Sequence, residues 1–184
     1  MDKEELGKLY PITVVEYDAK WTTSYEQERN IIVNILGPET ALSVEHIGSA
    51  AVPNLSAKPT IDILVEIPDA PGVNELIISK MSENNYILMQ EQTSHLMFVK
   101  GYTPTGLEEI SFHIHMGTRN QAFLWDRIYF RDYLRMYPSV ASEYESLKLK
   151  LAEIYKHDRD AYTENKGDFI RKITSRAKES LSTR

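Results

Sequence analysis

The stretch VEHIGSAAVPNLSAKPTIDILVEI, residues 44–67, decides the fold that we predict for this chain. It joins two apolar runs through a loop of small residues, prolines and one lysine. The runs at residues 42–47 and 60–67 are rich in Val, Ile and Leu, which is typical of strands. The stretch therefore predicts a strand, a loop and a second, denser strand.

The loop between these strands has the residue types of an anion-binding site. Gly48 has no Cβ, so the backbone can approach a ligand closely at this position. The Ser49 hydroxyl and the neighbouring backbone amides can donate hydrogen bonds to phosphate oxygens. Lys58 can add a full positive charge. The alternative is an ordinary turn at Gly48 and Ser49.

Asp62 lies in the apolar second strand, where a carboxylate needs an explanation. A buried carboxylate costs several kcal/mol unless it is paired or bound to a metal. Because side chains alternate along a strand, Asp62, Leu64 and Glu66 share one face. Asp62 is therefore a candidate metal ligand and catalytic residue, and the alternative is a loop cap or an ion pair with Lys58.

The rest of the chain alternates predicted strands and helices and ends in helices, which predicts an α+β fold. We expect a mixed sheet packed with helices, in a single domain over residues 1–184 with C-terminal helices from about residue 120. Further strands are predicted at residues 12–16, 86–89, 96–100 and 109–116, and helices at 18–36, 68–85, 120–138, 139–155 and 160–181.

Composition restricts the class of protein. The chain has no cysteine and no apolar run near 18 residues, which favours a reducing cytoplasm and predicts no association with a membrane. Its net charge of -6 argues against binding a long nucleic acid through a basic face. A local pocket can still be positive, so a small phosphorylated ligand is the expected partner. The oligomeric state is left open.

Three histidines form a candidate metal site with Asp62. His113 and His115 share one face of a predicted strand, and His46 immediately precedes the loop strand's end. Imidazole binds zinc and other transition metals, and together with a carboxylate it would make a mixed nitrogen and oxygen site. The alternative for each histidine is a half-buried hydrogen bond; His95 and His157 are predicted to be surface or capping residues.

The helical tail supplies further candidate phosphate ligands. Arg131 can grip a phosphate with two parallel hydrogen bonds. The equal alternative is an ion pair from Arg131 to a carboxylate that locks its helix to the sheet. Lys148 and Lys166 can each reach a phosphate, although solvated lysines on helices are the commoner outcome.

EHIGSAAVPNLSAKPTIDILV closely resembles the signature of the GrpB family, and so do FHIHM, FRDYLR, YESLKLKLA and YTENKGDFI. The resemblance covers nearly the whole chain. It implies the fold of the nucleotidyltransferase superfamily, which includes DNA polymerase beta. That superfamily has Gly-Ser at a strand end and two carboxylates on the next strand that hold two metal ions, Mg²⁺ or Mn²⁺. Asp62 matches the first carboxylate, whereas Leu64 occupies the second position, and Ala50 and Asn54 depart from the signature.

Three functions remain open at this stage. The first is nucleotidyl transfer from a nucleoside triphosphate, with a divalent metal on Asp62 and with His113 or His115 as base, ligand or phosphate donor. The second is a nucleotide- or CoA-like ligand-binding domain without catalysis, which retention of the Gly48-Ser49 loop without a second carboxylate would suit. The third is a histidine-metal site with other chemistry, which would hold one transition ion such as zinc.

Overall fold

The computed structural model describes residues 3–92 and 94–182. Its elements follow the chain in the order α1 (Lys3–Leu9), α2 (Lys20–Leu36), β1 (Ser43–Ile47), a short 3-10 helix (Ser49–Ala51), β2 (Thr60–Glu66), α3 (Val73–Glu83), β3 (Ile87–Gln92), β4 (His95–Thr103), β5 (Gly106–Gly117), α4 (Ala122–Met136), α5 (Pro138–Ile154) and α6 (Arg159–Ser182). The predicted α+β class, a mixed sheet packed with helices, is confirmed.

The five strands form one sheet in the order β1-β2-β5-β4-β3. Only β2 and β5 run parallel; the other neighbouring pairs are antiparallel. The register places Asp62 beside Ile47 on one side and beside His113 on the other. His115 lies two residues further along β5, opposite Leu64. The central strand β2 therefore brings the loop and the histidine pair to the same part of the sheet.

One face of the sheet is covered by α2 and α3 and forms the main apolar core. Ile61, Ile63 and Val65 of β2 are fully buried there. They pack against side chains that include Trp21 and Ile32 of α2. At about 25 cal/mol per Å² of buried apolar surface, this layer supplies much of the driving force for folding.

The opposite face of the sheet meets α4, α5 and α6. Leu64 of β2 packs with Ile47, Leu124 and Trp125 in a small apolar cluster beneath α4. Next to this cluster the face carries Asp62 and the histidines of β5. The helices leave a space above these residues. This second face therefore positions the candidate site.

The structure corrects the sequence predictions at the N-terminal end. The predicted strand at residues 12–16 is wrong, because only Val15 forms an isolated bridge, with Ala57. Its β-branched residues favour extended backbone, but the segment pairs with the loop before β2 instead of joining the sheet. Asp18 Oδ1 accepts a hydrogen bond from the backbone N–H of Lys20, the first residue of α2, at 2.9 Å. Helix α1 had no sequence prediction.

In the described part of the chain, the helices are too short or too polar to cross a lipid bilayer.

Candidate functional site

Gly48 and Asp62 approach each other so closely that only glycine fits at the loop. Gly48 has φ 75° and ψ -175°, a backbone conformation that side chains disfavour. A Cβ at Gly48 would lie 2.4 Å from Asp62 Oδ2. The 3-10 helix begins directly after Gly48, at Ser49, and Ser49 and Asp62 line the same cavity. This close approach holds the loop against β2, whereas the sequence predicted a close approach to a ligand at Gly48.

A chain of hydrogen bonds positions Asp62. Arg159 Nη2 donates to Tyr102 Oη at 3.1 Å, and Tyr102 Oη lies 2.7 Å from His113 Nε2. The tyrosine can then donate to Nε2, which leaves the hydrogen of His113 on Nδ1, 3.5 Å from Asp62 Oδ1. Both ring nitrogens of His113 are engaged within this chain. His113 therefore orients Asp62, whose side chain stays 28% exposed.

The electrostatic surroundings keep Asp62 ionised. Burial alone would raise the pKa of Asp62, but the hydrogen bond from His113 and the nearby charge of Lys58 outweigh burial and hold the pKa well below its usual range. Asp62 is thus a fixed negative charge at the floor of the site.

His115 belongs to a second buried chain. Its Nε2 lies 3.0 Å from Arg127 Nη1, and its Nδ1 lies 3.0 Å from His95 Nε2. Because a guanidinium only donates, His115 accepts at Nε2 and donates from Nδ1. Burial and the Arg127 charge lower the pKa of His115 well below its usual value, so its ring is neutral. His115 therefore positions Arg127, and His95 is a buried partner instead of the predicted surface or capping residue.

Three lysines from different elements face the same space. Lys58 precedes β2, whereas Lys148 belongs to α5 and Lys166 to α6. Burial lowers their pKa values to about 8, about 7 and about 8, in that order. Repulsion from other lysines contributes for Lys148 and Lys166, and repulsion from Arg159 contributes for Lys58. Lys148 is only 2% exposed and its Nζ donates to the Ser56 carbonyl oxygen.

These groups line a cavity of about 620 Å³ between the second face of the sheet and the C-terminal helices. That volume is ordinary for a small-molecule site. Eight of the predicted site residues lie on its wall: Gly48, Ser49, Lys58, Asp62, His113, His115, Lys148 and Lys166. The charged residues on the wall are Lys58, Lys148, Lys166, Arg127 and Arg171 against Asp62 and Asp126. The cavity is therefore locally cationic although the chain carries a net charge of -6.

Two predicted site residues lie outside the cavity. His46 is on the opposite face of the sheet, where its ring stacks on Tyr25 at 4.6 Å between centroids. Burial lowers the pKa of His46 to about 4, and its Nε2 has no hydrogen-bond partner among the described residues. Arg131 donates to Glu45 Oε2 and to the His46 carbonyl oxygen, each at 2.8 Å. The alternative weighed for Arg131, a lock between helix and sheet, is the arrangement found.

The residues present do not fit a pair of metal ions. Leu64 stands where a second carboxylate would be needed, and it is fully buried among apolar side chains. Glu66 is held by Arg119 at 2.7 Å and by Ser43 at 3.1 Å, further along β2. The four predicted ligands are not brought together, because His46 faces away and both nitrogens of His115 are engaged. Within the described residues, no three His, Asp or Glu side chains are grouped as a metal site requires.

Sequence reasoning missed the residues that support the site from behind. Tyr102 and Arg159 orient His113, and Arg127 reaches the cavity beside His115. Arg127 lies four residues before Arg131, and this helical spacing is the signal that could have identified it. The sequence contains no signal that links Tyr102 or Arg159 to β5.

A family model described as "GrpB protein" matches residues 11–176. This chain belongs to the GrpB family. It is 33% identical to the conserved protein GrpB from Enterococcus faecalis, whose crystal structure it matches with a TM-score of 0.79 over 92% of this chain and 99% of that one. It is also 30% identical to the UPF0157 protein YqkA of Bacillus subtilis over 92% of this chain, but it spans only 49% of that relative.

More distant structures share the fold alone. A cytoplasmic RNA terminal U-transferase matches with a TM-score of 0.52 at 11% identity, over 73% of this chain and 42% of that one. The resemblance to the GrpB family and to the nucleotidyltransferase fold, expected from the sequence, is thus confirmed.

Proposed function

We propose that this protein binds a nucleoside triphosphate, or a related phosphorylated nucleotide, in the cavity above Gly48 and Ser49. The observation that carries this proposal is the local excess of positive charge in an acidic protein. Lys58, Lys148 and Lys166 come from three elements and converge on one space, although each costs free energy by its burial. A bound polyphosphate would offset that cost. In the proposed complex the phosphates of the nucleotide lie toward the three lysines.

The shape and lining of the cavity suit the rest of such a ligand. The half-exposed Phe123 on the wall offers an aromatic face for a base. The shared fold with an RNA terminal U-transferase supports a nucleotide as the ligand class. A small phosphorylated molecule is the expected partner, and a long nucleic acid is not.

Nucleotidyl transfer with a divalent metal is a second candidate function. The observation that favours it is the ionised Asp62 beside the Gly48-Ser49 loop, where nucleotidyltransferases carry their first metal carboxylate. Asp62 can offer one oxygen ligand to Mg²⁺ or Mn²⁺. The buried Leu64 removes the second ligand, so we derive no step through a metal pair. Asp62→Asn is expected to abolish any metal-dependent turnover while leaving the fold intact.

The direct test is a thermal-shift screen of the purified full chain. Nucleoside triphosphates and CoA precursors would be tested, each with magnesium, manganese, zinc or EDTA. A ligand that binds the native state raises the melting temperature, whereas the corresponding nucleosides without phosphate are expected to have little effect. Absence of a shift with every phosphorylated ligand would contradict the proposal.

A turnover assay separates the two candidate functions. Release of pyrophosphate from a triphosphate that depends on magnesium or manganese, and that is lost in Asp62→Asn, would establish transfer. Binding without turnover would leave the ligand-binding function.

A further inference from the structure

The amino groups of the three lysines are arranged around two aromatic rings beside the loop. Lys58 Nζ lies 5.7 Å and Lys166 Nζ lies 4.2 Å from the centroid of the Tyr162 ring. Lys148 Nζ lies 5.0 Å from the centroid of Tyr144. Tyr144 also hydrogen-bonds Ser49 of the loop. The cations and the loop therefore form one continuous wall.

The anionic groups near this wall are fewer than the cations. Lys148 is faced by Glu145, which accepts a hydrogen bond from the Ser56 backbone N–H at 2.7 Å and is thereby held at the edge. Asp62 attracts both Lys58 and Lys166, whereas Arg159 repels both. The lowered pKa values of the lysines follow from burial and from this incomplete compensation.

At the position where the superfamily holds its metal ions, this chain lacks one of the two carboxylates. Superfamily members neutralise the triphosphate with ions held by paired carboxylates, and here Leu64 leaves Asp62 without the second one. When fully protonated, the three ammonium groups and the Arg127 guanidinium together carry as much positive charge as two divalent ions. The positive charge that a metal pair would bring is thus available from side chains of the protein.

From this geometry we infer that Lys58, Lys148 and Lys166 neutralise the phosphates of the bound nucleotide in place of a pair of divalent ions, so that binding requires no metal. This inference rests on the proposed nucleotide binding. It assigns phosphate recognition to charge-assisted hydrogen bonds from ammonium groups. Asp62 then acts as a negative charge that limits affinity.

Isothermal titration calorimetry of the full chain with ATP and with inorganic tripolyphosphate tests the inference. Each probe is titrated once in EDTA and once in magnesium. We expect the dissociation constant in EDTA to be equal to or lower than that in magnesium. Binding of the probes in magnesium alone would overturn the inference and leave the proposed function standing. Absence of binding in both buffers would overturn the proposed function and the inference together.

The Asp62→Asn variant separates the two modes by the sign of its effect. Asparagine keeps the shape and an oxygen that accepts from His113. If lysines neutralise the phosphates, removal of the negative charge tightens tripolyphosphate binding in EDTA by about threefold to tenfold. If binding instead requires a metal that Asp62 would hold, the same variant weakens or abolishes binding in magnesium.

Lysine variants give a matched comparison on one helix. Lys148→Met is expected to weaken tripolyphosphate binding about tenfold or more, the usual effect of losing a hydrogen bond to a charged group. Lys150→Met is the control, because Lys150 is exposed on α5 and lies outside the cavity wall. Lys166→Met on α6 provides a second variant if Lys148→Met folds poorly. Unchanged binding in well-folded Lys166→Met and Lys148→Met proteins would overturn the inference.

Discussion

The two faces of strand β2 differ more than their shared backbone suggests. On one face Ile61, Ile63 and Val65 are fully buried against α2 and α3. On the other face Asp62 remains partly exposed in a cavity, and only Leu64 packs in an apolar cluster. Adjacent residues of one strand therefore serve different purposes: one face stabilises the fold, and the other presents charge to a ligand.

The second face also buries ionisable groups, and this burial lowers the stability of the folded protein. Lys148 is almost completely buried, and burial lowers its pKa to about 7. Proteins tolerate such local costs at functional sites, where the burial serves binding. The comparison of the two faces shows that charged groups line this cavity at positions where apolar side chains would stabilise the fold more.

Substitutions at adjacent positions of β2 should give the largest difference. Ile63→Ala removes a fully buried side chain from the first face and should lower the free energy of unfolding by about 3 kcal/mol. Asp62→Asn on the second face should lower it less, by about 1–2 kcal/mol, because shape and a hydrogen-bond acceptor are kept while the attraction between the carboxylate and Lys58 is lost. Urea unfolding followed by circular dichroism measures both. An Asp62→Asn protein that is the less stable of the two would assign Asp62 a mainly structural role.

The first face was predictable from sequence, and the reason is periodicity. The alternation in residues 60–67 placed Ile61, Ile63 and Val65 together, and the structure confirms this. The strand predicted at residues 12–16 failed because β-branched residues favour extended backbone without specifying a partner strand. Only Val15 finds one, through its bridge to Ala57. Local propensity therefore predicted a strand correctly only where the sheet supplies a partner strand.

The second face was predictable only where neighbours in sequence are neighbours in space. Gly48, Ser49 and Asp62 were found from their order, and Lys148 and Lys166 from segments that resemble the family. Pairs such as His95 with His115 depend on the register between β4 and β5, which the sequence does not reveal. The alternatives for Arg131 could not be separated without knowing that Glu45 lies within reach.

The close contact between the loop and β2 can be disrupted by a substitution at Gly48. Gly48→Ala forces an unfavourable φ and places a Cβ against Asp62 Oδ2, so we expect a loss of about 2–3 kcal/mol of stability. Gly72→Ala is a control for a positive φ alone, because Gly72 has φ 78° and ψ -1°, a left-handed conformation that other residues adopt at a cost, and open space around the position of a Cβ. Its expected loss is about 1 kcal/mol. Equal losses measured by urea unfolding would show that the contact with Asp62 adds nothing to the backbone strain.

A smaller effect should expose the cost of the buried lysine in the ligand-free protein. Lys148→Met removes a buried ammonium group but also its hydrogen bond to the Ser56 carbonyl oxygen. Replacement of buried charge by an apolar side chain of similar length is often stabilising, and we expect a gain of about 1 kcal/mol. Lys150→Met, at an exposed position of the same helix, should leave the melting temperature unchanged. A clear loss of stability in Lys148→Met would show that the hydrogen bond outweighs the burial of the charge.

The same cost should appear as a dependence of stability on pH. The pKa of Lys148 falls from its ordinary value of 10.5 to about 7 in the folded protein. Between these values the unfolded chain binds more protons than the folded one, so stability rises with pH. The melting temperature of the ligand-free protein should therefore increase from about pH 7 to about pH 9, with Lys58 and Lys166 contributing in the upper part of this range. Lys148→Met should flatten the rise near pH 7. Affinity for tripolyphosphate should change in the opposite direction, because neutral amines attract phosphate less strongly. Stability that fails to rise over this range would show that burial of the lysines carries no such cost. Affinity that rises with pH would show that the lysines do not bind the phosphates.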